Sequence, residues 1–316
     1  MTIRNFVPVL WSTKIMQQLY KAQVYGNCVN RDYQGEIKKY GDTVRVNTLG
    51  LPTISDYVPY TYTYTPEALQ GAGEAITIDQ VKMYNFVIDD VDQAQITPGV
   101  MEQGIKNASY ALRDVTDQFI ANTLAAGVAT ANVLLNGATA SSTSNPILVG
   151  TGGSVVEPFT LLTKLGTRMN KSNVPASDRW VVVPPDFAEN LILDPRFSSF
   201  ATAVAANTTR VGATMGGSDG SSGDGYGSLA EALRVLVGFD LYVSNNVPSA
   251  TNGADTVYTI LGGYKGACSY AEQIPEGQPI AYQPQFGFGD AMKSLHLYGA
   301  KVFRPDALVA AYCQFV

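Results

Sequence analysis

The chain has 316 residues, enough for one large domain or two of ordinary size with a substantial core. Only 15 % of its residues are charged, against roughly 25 % in a typical soluble domain, and the formal net charge is −6. Its 21 basic residues are scattered, with Lys38-Lys39 the only adjacent pair, which argues against a general nucleic-acid binder that must neutralise phosphates with clustered cations. A chain this poor in charge has little free surface or hides much of it in contacts, as obligate assemblies do. Cys28, Cys268 and Cys313 are far apart and make no CxxC spacing, so neither a disulfide framework nor a zinc site is expected. The thiols are expected to stay reduced in cytoplasm. Met1-Thr2-Ile3-Arg4-Asn5-Phe6 begins no apolar run of signal-peptide length, and no stretch approaches 18 apolar residues, so no membrane span is expected.

Residues 1 to 33 read as an arm with one short amphipathic helix. Ser12 can cap it after Pro8 and Trp11, Ile15, Leu19 and Ala22 follow at helical spacing, and Gly26-Asn27 stops it. Asp42 to Asn47 is a short alternating strand. Residues 54 to 92 then read as a long two-stranded arm. Tyr60, Tyr62 and Tyr64 alternate with threonines on the outgoing strand; Ile76 and Ile78, then Tyr84, Phe86 and Ile88, repeat the period on the return. Thr65 to Glu74, with Pro66 and two glycines, is expected as the tip. A lone ribbon of this length is marginal in water, so it needs a partner surface.

Thr97 and Pro98 start the second strong signal, a helix running to Ala126. Val100, Gly104, Ala108, Leu112, Val115, Phe119 and Leu124 fall on or near one stripe, with Glu102, Lys106, Arg113 and Asp117 elsewhere. Gly104 costs roughly 1 kcal/mol relative to Ala, which suggests that another backbone passes close by. Residues 137 to 154 are a polar loop or a lightly paired hairpin. A second helix is expected near Pro158 to Lys171, a buried strand at Arg179 to Val183 closed by Pro184-Pro185, and a short helix from Phe187 to Leu193. Gly216 to Gly227 reads as a mobile loop, and Leu229 to Leu236 as helical. Phe239 to Ser244, Thr256 to Leu261, Cys268 to Gln273 and Leu295 to Phe303 are strand-like.

Chemistry has few candidates. Gly216-Gly217-Ser218-Asp219-Gly220 matches the GxSxG string of serine hydrolases, and His296 lies downstream with Asp240, Asp255 and Asp290 formally available. The string lacks the strand before it and the helix after it that such a nucleophile needs, so it reads as linker. His296, alternating inside a strand, reads as a structural histidine. Asp89-Asp90-Val91-Asp92 lacks the glycine and glutamate of a calcium loop, and the glycines around 223 to 227 follow no strand. No catalytic residue, cofactor or metal site is expected.

Taken in order, these elements resemble the major capsid protein of tailed bacteriophages, the Hong Kong 97 phage fold shared with encapsulins. Phe6 to Ser12 and Val29 to Tyr33 are similar to that family's N-terminal arm. The hairpin is similar to its extended loop and the helix from Pro98 to its spine. Asn173-Val174-Pro175 through Pro185, and Val237 to Pro248, resemble its apical domain, and Tyr298 to Leu308 resembles its last strand. The resemblance implies an α+β fold: arm 1–33, extended β-hairpin loop and flanking strands 34–92, peripheral domain 93–175 with a spine helix over about 98–126, apical domain 176–290, and a C-terminal strand 291–316 returning to the peripheral domain. It implies hexamers and pentamers closing an icosahedral shell around double-stranded DNA, assembled in host cytoplasm. The implied partners are further copies, a portal protein, a separate scaffold or decoration protein, and packaged DNA bound without sequence specificity. Intersubunit contact is expected at Trp11, Tyr60, Tyr62, Tyr64, Leu69, Ile76 and Ile78. An encapsulin shell and a phage tail-tube protein are the alternatives; the long central helix speaks against the latter.

Overall fold

The computed structural model describes residues 21, 23–32, 43–49, 52–54, 56, 67–68, 71–89, 100–150, 155–196, 238–274, 280–285 and 289–316. The expected helix from Ser12, the Tyr60 to Tyr64 strand, the Thr97-Pro98 cap, the 216–227 loop and the 229–236 helix lie outside these residues. Tyr25–Cys28 forms a single helical turn, α1, so Gly26-Asn27 sits inside a helix rather than ending one.

Thr43–Leu49 (β1) and Gly71–Thr77 (β2) pair antiparallel, from Thr43↔Thr77 to Leu49↔Gly71. A hairpin is present, but its described strands are not those expected. Gly71-Ala72-Gly73-Glu74, assigned to the tip, lies in β2, and Tyr84, Phe86 and Ile88 belong to a separate strand, Gln80–Asp89 (β3). The reason is a distant partner. β3 pairs along its whole length with Gly289–Val302 (β13), from Gly289↔Asp89 to Tyr298↔Gln80. Period-two alternation marks a half-buried strand without naming its neighbour.

Val100–Ala126 is one helix, α2, of about 40 Å. Its Gly104 faces a ring rather than a backbone: a Cβ there would lie 3.2 Å from Cε2 and Cζ of Phe86. Leu135–Asn136 (β4) and Thr139–Ala140 (β5) form a two-residue ladder, with Gly137 at φ +66° between them, and Ile147–Val149 (β6) follows. Pro158–Lys171 (α3), Arg179–Val183 (β7) and Pro185–Leu193 (α4) agree with their sequence signals. In both helices a proline occupies the first turn, where its missing N–H removes no helix bond. The chain continues through Asp240–Val243 (β8), Ser249–Asn252 (β9), Asp255–Tyr264 (β10), Cys268–Ile274 (β11), Ile280–Tyr282 (β12) and, after β13, Leu308–Phe315 (β14).

Two larger sheets carry the core. The first has the order β6-β14-β10-β7-β8, with β9 also on β10. All five residues of β7 are buried, between antiparallel β10 and parallel β8. Leu161, Leu162 and Leu165 of α3 and Phe187 and Leu191 of α4 join Val181 to Val183 and Val309 to Ala311 in one apolar cluster. The second sheet sets β13 between β11 and β12 on one side and β3 on the other. α2 packs on one of its faces, placing Phe119 edge-on to Tyr298 at 5.4 Å and Gly104 on Phe86.

Cys268–Ile274 and Ile280–Tyr282, expected in the apical segment, stand in the sheet under α2, whereas β14, expected in the returning segment, completes the other sheet. β14 pairs with β10 over seven residues, a partnership invisible in either strand alone.

Gly299 of β13 lies directly under the hairpin base. A Cβ there would collide with the carbonyl oxygen of Thr77 and crowd Ile78 Cα. We expect Gly299→Ala to lose about 1–3 kcal/mol of stability in urea unfolding, because the backbone above it must lift.

Candidate functional site

A cleft of about 260 Å³ opens between α1, α2, β11 and β13, lined by Arg31, Arg113, Asp117, Tyr270, Glu272 and His296 among others. His296 is buried at its floor. Nδ1 stands 3.3 Å from Thr116 Oγ1, and Nε2 stands 3.3 Å from Glu272 Oε2 and 3.5 Å from the Tyr270 hydroxyl. Thr116 Oγ1–H donates to the Leu112 carbonyl at 2.9 Å, and Tyr270 O–H to Glu272 Oε2 at 3.0 Å. Both imidazole nitrogens therefore tie the sheet together or to α2. The carboxylate beside His296 is Glu272, not Asp240, Asp255 or Asp290, and among the described residues no serine or cysteine lines the cleft. Ser218 and its string lie outside the described residues. The arrangement holds segments in place.

The second polar junction was hidden in the sequence. Asp117, off the apolar stripe of α2, is only 3 % exposed. Its Oδ1 accepts the Gly26 N–H at 3.3 Å and its Oδ2 accepts Asn246 Nδ2–H at 3.1 Å. The same amide nitrogen donates to Asp114 Oδ1 at 2.8 Å, while Lys21 Nζ reaches Asn246 Oδ1 at 3.4 Å. Three remote pieces meet here: the segment around α1, the middle of α2 and the loop after β8. Burial pushes the Asp117 carboxyl above its ordinary range, against the opposing pull of Asn246 and the amides of Gly26, Val24 and Tyr25.

The three cysteines are free and buried. Burial pushes the Cys28 and Cys268 thiols up to about 12 and Cys313 higher still, so thiolate is scarce at neutral pH.

Of the expected contact residues, Trp11, Tyr60, Tyr62, Tyr64 and Leu69 lie outside the described residues. Ile76 and Ile78 are corrected. Both are fully buried in their own chain, in a cluster with Ala271 and Leu297 flanked by Phe303. Gly299 lets the hairpin base descend far enough for these two side chains to reach the sheet. The hairpin instead exposes Ile54, at 95 %. Just before it, Thr53 donates from its N–H and Oγ1 to the Glu67 carboxylate at 2.9 and 3.3 Å. Thr53 and Glu67 are each four residues along the chain from the Leu49↔Gly71 pair.

The profile of the phage capsid protein family matches residues 60–311, most of the chain. The chain belongs to the phage capsid protein family. Among solved structures it is similar to one of Mycobacterium phage Che8, at 26 % identity and TM-score 0.68 over 99 % of this chain and 98 % of that one. The capsid of the cyanophage P-SCSP1u matches at 20 % identity and TM-score 0.65, over 100 % and 95 %. The mature capsid of bacteriophage PhiM1 matches at 14 % and 0.62, over 98 % and 92 %; these last two likenesses concern the fold. No curated protein matches the chain. Its role is that of a phage capsid component, a structural protein of the shell.

Three outcomes follow for the capsid protein. Asp117→Ala leaves buried donors unpaired and should cost about 1–3 kcal/mol in chemical unfolding. Because folding raises this carboxyl, its stabilising contribution is full below the unfolded value, about pH 4, and is lost as pH rises through the folded value. The stability of wild type relative to Asp117→Asn should therefore increase on acidification from neutral pH. Separately, the native protein should resist maleimide or iodoacetamide at neutral pH and release three reactive thiols only in denaturant.

Proposed function

We propose that this capsid protein assembles as hexamers and pentamers in which the β1–β2 hairpin of one subunit lies across a neighbour. The observation that carries this reading is Ile54, a large apolar side chain 95 % exposed on a hairpin whose base is buried through Ile76 and Ile78. The described strand β1, Thr43–Leu49, spans on the order of 23 Å. A two-stranded ribbon of that reach has too little support of its own. Seating Ile54 on another subunit would contribute roughly 1.5–3 kcal/mol, unavailable to the lone chain. Trp11, Tyr60, Tyr62, Tyr64 and Leu69 extend this contact set; Ile76 and Ile78 serve as its anchor.

The sheet of β3, β11, β12 and β13 with α2 then acts as the peripheral domain, and the sheet around β7 as the apical domain on which capsomers centre. α2 serves as a strut between the contacts at its two ends. A portal protein and a scaffold or decoration protein complete the proposed partners. The net charge of −6 suits a wall that encloses DNA without gripping it.

The test is deletion of residues 54–66 with a short glycine-serine bridge, which spares the buried Ile76 and Ile78. The subunit should keep its far-UV circular dichroism and thermal midpoint yet fail to close shells in electron microscopy. Normal shells from this variant would overturn the role given to the hairpin.

A further inference from the structure

β3 sends alternate residues to the two faces of its sheet. Phe86 and the cross-strand residue His296 face α2, through Gly104 and Thr116. Val81 and Met83 lie on the opposite face, opposite Leu297 and Leu295 of β13. Val87 continues the row, and Ile280 of β12 joins it beside Lys293. Ile76 and Ile78 cover one end of this face, at Leu297. Beyond them it is open: Val81, Met83, Val87, Leu295 and Ile280 are between 38 % and 71 % exposed.

An antiparallel sheet with one face in water ordinarily turns polar residues outward. Here five large apolar side chains sit together instead. Among the described side chains of this open part, the charged one is Lys293, whose Nζ lies 4.7 Å over the Tyr282 ring. The Tyr282 hydroxyl in turn donates to Asn85 Oδ1 at 2.9 Å. The polar groups are already paired within the face, so drying it orphans few of them.

We propose that this open sheet face is a contact surface for a second copy of the chain. The inference rests on self-assembly but not on where the hairpin lands. Size decides the occupant. A ten-residue strand of about 33 Å, with neighbours at about 4.8 Å, gives a face on the order of 300–500 Å². A standard stable complex buries about 800 Å² per partner, so this patch is too small to retain a partner at a single contact. It is large enough where the same molecule meets several copies at once and the contacts reinforce one another, as in a shell.

Met83→Cys tests this directly, since the native thiols are buried and contribute little background. The introduced thiol should react with maleimide in the unassembled subunit and be protected in DNA-free shells assembled from purified chain. Met83→Glu should lower the association constant by about tenfold or more, with an unchanged thermal midpoint. Equal labelling in subunits and closed shells would overturn the proposal, as would protection seen only in DNA-filled particles or only with another protein bound. If the hairpin deletion still closes shells while Met83→Cys is protected, this surface stands and the hairpin reading falls.

Discussion

The ladder between β3 and β13 joins residues about two hundred positions apart, and the rest of the subunit is arranged around it. β13 receives β3 along one edge, β11 and β12 along the other, α2 on one face and the hairpin base on the other. The direction of the hairpin is fixed by that last contact: with no side chain at Gly299, Thr77 and Ile78 come down onto the strand and insert two isoleucines beside Leu297. An element contributed by the C-terminal part of the sequence thus aims one near its start. Such distant pairings are slow to form, because chain entropy is lost before the contacts repay it. The Asp117 junction adds a second long-range tie, from α1 through α2 to Asn246.

What could be read from the sequence was local. α2, α3 and β7 announce themselves because helical period, a proline in the first turn and a β-branched run closed by prolines need no knowledge of partners. The hairpin could not be placed the same way. Ile76 and Tyr84 share one period-two pattern, yet a break at Ile78-Asp79 sends them to different sheets. Gly104 correctly marked a close approach, but a phenylalanine ring fills the space and the sequence cannot distinguish it from backbone. Asp117 was the deepest miss: a carboxylate off the stripe is normally solvated, and remote segments carrying Gly26 and Asn246 meet it here. Ile76 and Ile78 failed as surface residues for the same reason, since their cover comes from residues 271 and 297.

The distribution of reactive groups fits a passive wall. The thiols are buried with raised pKa values, and the sole histidine spends both ring nitrogens on Thr116, Glu272 and Tyr270. A cleft containing two arginines and two carboxylates is therefore occupied with holding α1 and α2 against the sheet. Among the large apolar side chains the subunit leaves exposed are Ile54 on the hairpin and the row from Val81 to Val87 with Ile280.

These two apolar features occupy different elements, and neither is large. That is what closing a shell requires. A contact of roughly 1.5–3 kcal/mol per buried side chain is weak enough to break when a subunit arrives in the wrong orientation. A single nanomolar contact, about 12 kcal/mol, would trap such errors. Several modest contacts made together give a finished lattice its permanence, because leaving then means breaking them at once. On this argument the shortage of surface charge is functional as well. Strong fixed charges would bring long-range repulsion between identical subunits, whereas short-range apolar patches act only when two copies already fit.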